Sequence, residues 1–141
     1  MRRILVTVAA AVIASPAAAA AAGGLAPPVI HEPFTPLPCP IHPDTTVDVE
    51  GCQEMRILKT DRAIDGAVRV VFRRLQTTSA RSSFVAGEQN WLRYRRQSCL
   101  AEAARYRGGS AEPVAYATCT VRRNRSHLVD LLAMRSALAR P

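Results

Sequence analysis

No Cys-x-x-Cys pair, no Cys-x-x-Cys-His, no Gly-x-Ser-x-Gly elbow and no phosphate-binding glycine loop occurs in the 141 residues. The first two absences remove the motifs of thioredoxin-like redox chemistry and c-type haem attachment. The third removes the hydrolase nucleophile turn. Length is equally restrictive: one domain fits, with little room for a second, so a nucleotide-binding Rossmann unit or a large enzyme core is excluded. Tryptophan occurs once. Acidic side chains are few, 11 against 19 Lys+Arg, for a formal net charge of +8. No run alternates apolar and polar residues for more than a few positions, so no sheet is expected.

Residue types that could catalyse are present but do not assemble. Ser126, His127 and Asp130 suggest a triad, yet adjacent helical residues point about 100° apart. A solvated helix face is the better reading. Asp61 and Asp65 share a helix face, which a salt bridge to Arg62 or Arg69 explains without the fixed cleft that paired-carboxylate glycoside chemistry needs. The chain is expected to be no enzyme and to carry no cofactor.

The first 22 residues read as a signal peptide. Met1-Arg2-Arg3 is a cationic start, Ile4 to Ala14 is apolar, Ser15-Pro16 breaks the run, and alanines with A-x-A cleavage options follow. The apolar part is shorter than the roughly 20 residues of a bilayer span, so no transmembrane segment is expected after cleavage. Export to the periplasm or beyond follows from this reading. Removing Arg2 and Arg3 leaves 17 Lys+Arg against 11 Asp+Glu, a net of +6. Such a charge draws the protein to anionic surfaces. Nucleic acid is not an expected partner, because export separates the two.

Residues 23–43 hold seven of the ten prolines and read as an extended, flexible arm. Residues 44–141 read as one helical domain. Ile57, Asp61, Ile64, Val68, Val71, Phe72 and Leu75 mark one helix face. Val85, Leu92 and Cys99, widened by Phe84, Trp91 and Tyr94, mark a second. Val114, Ala117, Val121, Leu128, Leu131, Leu132 and Leu138 mark a third. Ser82 or Ser83 is a candidate cap for the second helix, and Glu112-Pro113 suits the start of the third. The breaks fall at Thr77-Thr78-Ser79 and Gly108-Gly109-Ser110. The predicted fold is all-α: a three-helix, up-down-up bundle of about 20-residue helices. A core this small calls for covalent staples.

Four cysteines in an exported chain form two disulfides. Cys99 precedes Gly108 by nine residues and Cys119 follows Gly109 by ten. In an antiparallel hairpin, positions equidistant from the apex face each other, which pairs Cys99 with Cys119 and leaves Cys39 with Cys52. The alternative for Cys39, His42 and Cys52 is zinc, but that needs reduced thiols and a fourth ligand.

The most specific stretch is Gln89 to Cys99, with the spacing Q-x-W-x-x-Y-R-x-x-x-C. Trp91, Tyr94 and Arg95 fall on one side of a helix, where Arg95 can cover the Trp91 ring. This segment resembles the lysozyme inhibitor LprI-like N-terminal domain family. Cys39 and Cys52 look like the family's first cysteine pair. Asp65, Val68, Phe72 and Leu75 are similar to its D-x-x-L-N-x-x-Y-x-x-L helix, with Val68-Arg69 in place of Leu-Asn and Phe72 in place of Tyr. Gly108-Gly109-Ser110 looks like its G-G-S turn, and Cys119 followed by Arg125-x-x-Leu128 looks like its closing C…R-x-x-L.

The resemblance implies a small exported helical domain that inhibits lysozyme. Gln89, Trp91, Tyr94 and Arg95 would then lock the hairpin or meet a partner. A rigid turn could plug the lysozyme cleft over its two catalytic carboxylates, and Gly108, Gly109 and Ser110 with Arg105 and Arg107 are the candidate. A basic tip suits an acidic cleft, although a +6 protein is repelled at long range by a basic lysozyme. The alternative is a module that docks its arginine clusters on anionic glycan, lipid or a partner protein of the cell envelope, without inhibiting anything.

Overall fold

The computed structural model describes residues 25–140; the expected signal peptide lies outside the described residues. Three helices account for most of them: α1 (Thr46–Arg74), α2 (Thr78–Ala103) and α3 (Ala111–Ala137). A single 3-10 turn, Ala104–Tyr106, follows α2. There is no strand among the described residues. The helices are 29, 26 and 27 residues long, longer than the expected lengths of about 20.

Local chemistry sets the helix ends. Thr45 caps α1: its hydroxyl accepts the Asp48 amide at 3.1 Å, and the Asp48 carboxylate accepts the Thr45 amide at 3.0 Å. This is a reciprocal capping box with Asp in the usual Glu position. The Thr45 hydroxyl and amide bonds hold the Asp48 carboxyl below its ordinary pKa. α2 begins before the predicted serine caps. Thr77 is the cap, its hydroxyl accepting the Ala80 amide at 3.1 Å, so Thr78 and Ser79 belong to the first turn and Ser82 and Ser83 lie inside the helix. At the other apex Gly108 adopts φ +79°, a region that costs a residue with Cβ. Its amide donates to Glu112 in the first turn of α3 at 2.9 Å, and Pro113 sits in that same turn.

α3 makes its broadest contact with α1 and a narrower one with α2. The core has two parts. Ile64, Ala67, Val68, Val71 and Leu131 form one, against which Phe84, Trp91 and Leu128 pack. Ile57, Ala117 and Val121 form the other. Leu132 and Leu138 were expected on the buried stripe but are exposed; Leu132 stands about 100° round the helix from buried Leu131, and Leu138 is the C-cap at the end of α3. Both disulfides pair as expected, Cys39–Cys52 and Cys99–Cys119. The sulfurs of Cys39 and Cys52 are therefore spent as zinc ligands.

The proline-rich arm is extended and lies along the bundle, held upstream of Cys39 as well as at it. Ile30 packs on the first part of the core and Phe34 on the second. The Ile30 amide donates to Asp65 Oδ1 at 3.1 Å, and the Leu37 amide to Glu54 Oε2 at 2.7 Å. The arm crosses α1 so closely that a Cβ on Gly51 would lie 2.3 Å from the Pro38 carbonyl oxygen and 2.9 Å from that of Leu37. Only glycine fits there.

Candidate functional site

The Q-x-W-x-x-Y-R stretch lies on α2 and divides by direction. Trp91 and Arg95 turn toward the bundle, whereas Gln89 and Tyr94 face out. Arg95 is only 8% exposed and has three partners from three separate parts of the chain. Its Nη1 donates to Asp61 Oδ1 on α1 at 2.8 Å and to Asn124 Oδ1 on α3 at 2.9 Å. Its Nη2 donates to Glu32 Oε1 on the arm at 2.6 Å. Asn124 closes the network, its Nδ2 donating to Asp61 Oδ1 and Thr60 Oγ1 at 2.8 Å each. One guanidinium thus binds α1, α3 and the arm to α2. A buried ion costs heavily unless paired and hydrogen-bonded, and its planar fork allows several bonds at once.

The expected cation–π contact is present. The Arg95 guanidinium carbon lies 5.4 Å from the Trp91 ring centroid. Trp91 also stacks on His127, centroids 3.8 Å apart and planes 14° from parallel. His127 Nε2 is 2.9 Å from buried Glu88 Oε2. The solvated face expected for Ser126, His127 and Asp130 is thus wrong for His127, while Ser126 and Asp130 are exposed. The salt bridges expected from Asp61 and Asp65 to Arg62 or Arg69 are replaced: Asp61 pairs with Arg95, and Asp65 takes the Ile30 amide.

Sequence spacing alone does not bring Glu32, Asp61, Asn124, His127 and Glu88 together as a set. A signal existed for two of them. Asp61 stands on the apolar stripe of α1, and Asn124 stands in line with Val121 and Leu128 on α3. A polar residue at a core position needs a partner.

Burial pushes the Asp61 carboxyl up to about 6, with the Glu32 charge adding to the rise and Arg95 opposing it. Its second oxygen, Oδ2, is buried with no hydrogen-bond partner among the described residues. The folded state thus holds a proton between pH ~4 and ~6 that the unfolded chain releases. That stability is fully present below about pH 4 and is lost as pH rises through about 6. Each pH decade is worth about 1.4 kcal/mol, so the window spans about 3 kcal/mol at most. Asp61→Asn should remove this dependence. Denaturant unfolding of both proteins from pH 4 to 7 should show the parent falling relative to the variant; parallel curves would mean that Asp61 titrates normally.

The turn at the α2–α3 apex is a separate feature. Arg105, Arg107, Gly108, Gly109 and Ser110 are all exposed. Beneath it, Cys99 and Cys119 are fully buried and join the two helices. Tyr94 is half exposed with Arg123 over its ring at 5.2 Å, and Gln89 is exposed. The structure does not bring the motif on α2 and the apex turn into one site.

Neither the comparison with curated proteins nor that with solved structures gives a match. A family model described as "Lysozyme inhibitor LprI" matches residues 39–131. It spans all four cysteines, Trp91 and Arg95, Asp61 and Asn124, and the apex turn. With about two thirds of its length so matched, the chain belongs to the lysozyme inhibitor LprI family.

Proposed function

We propose that this chain is an exported, non-enzymatic binding protein that inhibits lysozyme by inserting its apex turn into the substrate cleft. The observation that carries the reading is the exposed turn bearing Arg105 and Arg107 at the end of a disulfide-joined hairpin, in a chain of an inhibitor family. A rigid protrusion binds with less ordering cost than a mobile loop. Two cationic side chains at its tip suit a cleft that holds two carboxylates. Two disulfides agree with an oxidising compartment outside the cytosol, and none of the described helices is long and apolar enough to cross a membrane.

The test is a lysis assay on a cell-wall substrate, with the oxidised protein titrated into lysozymes of several classes. Saturable inhibition is expected, and Arg105→Ala/Arg107→Ala should weaken it at least tenfold. Undiminished inhibition by that variant would remove the turn from the mechanism.

A second reading has its own support. Arg56 on α1 and Arg125 on α3 line a shallow cavity of about 310 Å³ beside Arg122, which is itself paired with Glu102 at 2.6 Å, a place for an anionic group of glycan, lipid or protein. Binding to envelope material that vanishes with added salt, with no lysozyme inhibited, would favour this role.

A further inference from the structure

An acidic lining occurs at the end of the bundle that carries the apex turn. A cavity of about 320 Å³ opens between the arm, α1 and the α2–α3 hairpin. Phe34, Ile57, Ala103 and Ala117 floor it, and Leu100 and Tyr116 form a wall. The remaining polar lining is acidic: Glu50, Glu54 and Glu112. No Lys or Arg lines it, in a chain with 19 of them. Among the described residues none of the three carboxylates has a salt bridge. Glu54 and Glu112 each accept one backbone amide, from Leu37 and Gly108. Glu50 and Glu54 repel each other, and burial together with that repulsion raises the Glu50 pKa.

An apolar floor under unneutralised carboxylates is complementary to one kind of group, an alkyl stem with a cationic head. Lysine and arginine side chains have that form, and they bury the stem while the head stays at the polar rim. The volume lies at the low end of the ~300–1,000 Å³ of small-ligand pockets, enough for one long side chain. We infer that this cavity is a docking pocket for a lysine or arginine side chain presented by a basic partner protein. The inference rests on the lysozyme reading for the partner's identity and deepens it. The pocket shares the hairpin end with Arg105 and Arg107, so a partner whose acidic cleft takes the turn would bring its basic rim to the carboxylates. A locally negative pocket offsets the repulsion between two proteins of like net charge.

The test begins without lysozyme. The oxidised full chain, with methyl groups labelled for NMR, is titrated with n-butylguanidinium chloride, with neutral n-butylurea as control. Saturable shifts at Leu100, Ala103 and Ala117 are expected, at least tenfold weaker for the urea. In Glu50→Gln/Glu112→Gln the guanidinium affinity should fall at least fivefold. This variant leaves Glu54 in place to hold the arm, and glutamine keeps an acceptor for the Gly108 amide. Absent shifts, equal binding of the urea, or unchanged affinity in the variant would overturn the pocket. The same variant is then assayed against a basic lysozyme that the parent inhibits. Inhibition weakened at least fivefold supports the assignment, and unchanged inhibition overturns it while leaving the inhibitor reading intact. If guanidinium binds as expected but no lysozyme is inhibited, the pocket stands as a cation site and the inhibitor reading falls.

Discussion

Replacing Arg95 with alanine is expected to lower the unfolding free energy at pH 7 by about 3–5 kcal/mol, the usual cost of removing one member of a buried ion network. The intact network need not be a large net stabiliser. The loss is severe because Asp61 and Glu32, 5% and 7% exposed at their side chains, would lose their cation and have to stay charged unpaired or take up a proton. Asn124 would lose a donor, and Trp91 the cation over its ring. The cost should shrink toward pH 5 as Asp61 takes up a proton. Arg95→Lys should recover only part, since one ammonium cannot span Asp61, Asn124 and Glu32 as the planar fork does. Urea unfolding of the oxidised proteins at pH 5 and 7 tests this. A loss below about 1 kcal/mol at pH 7 would show that the network contributes little. Amide exchange near Ile30 and Leu37 should rise in the alanine variant, because Glu32 helps to fasten the arm.

Removing the inner disulfide ranks second. Cys99→Ala/Cys119→Ala should destabilise by about 3 kcal/mol through the entropy of the released loop, the bridged residues being 20 apart. The outer bridge closes 13 residues and has a similar entropic value, yet the two should respond differently to reductant. Cys39 is exposed, whereas Cys99 and Cys119 are fully buried, and exchange requires a thiolate to reach the sulfur. Mild reduction followed by alkylation and peptide mass analysis should label Cys39 and Cys52 first. Early labelling of Cys99 would mean that the hairpin opens locally with ease.

The bundle was legible because its signals are local or symmetric. Helix faces repeat every three or four residues, and the Cys99–Cys119 bridge follows from distances to the Gly108-Gly109 apex. The arm and the network were not. Proline spacing says that residues 23–43 are extended, but where an extended chain lies depends on pairings such as Glu32 with Arg95, 63 residues apart. Sequence spacing favours near neighbours and points Asp61 to arginines on its own helix; its actual partner is 34 residues away. The Trp91–Arg95 contact was foreseen for the opposite reason, being an i, i+4 pair. The acidic pocket gathers Glu50, Glu54 and Glu112 from two helices, and each alone reads as one more scattered acid.

The close crossing at Gly51 has a use in comparing chains. The residue just before the second cysteine is where the arm's carbonyls rest on α1. Glycine there allows the arm to run flat against the helix; any side chain forces it outward. Within a set of homologous sequences, that single column sorts chains able to share this arm path from those that must take another. A glutamate on the arm paired with an arginine on α2 should accompany glycine and be lost with it.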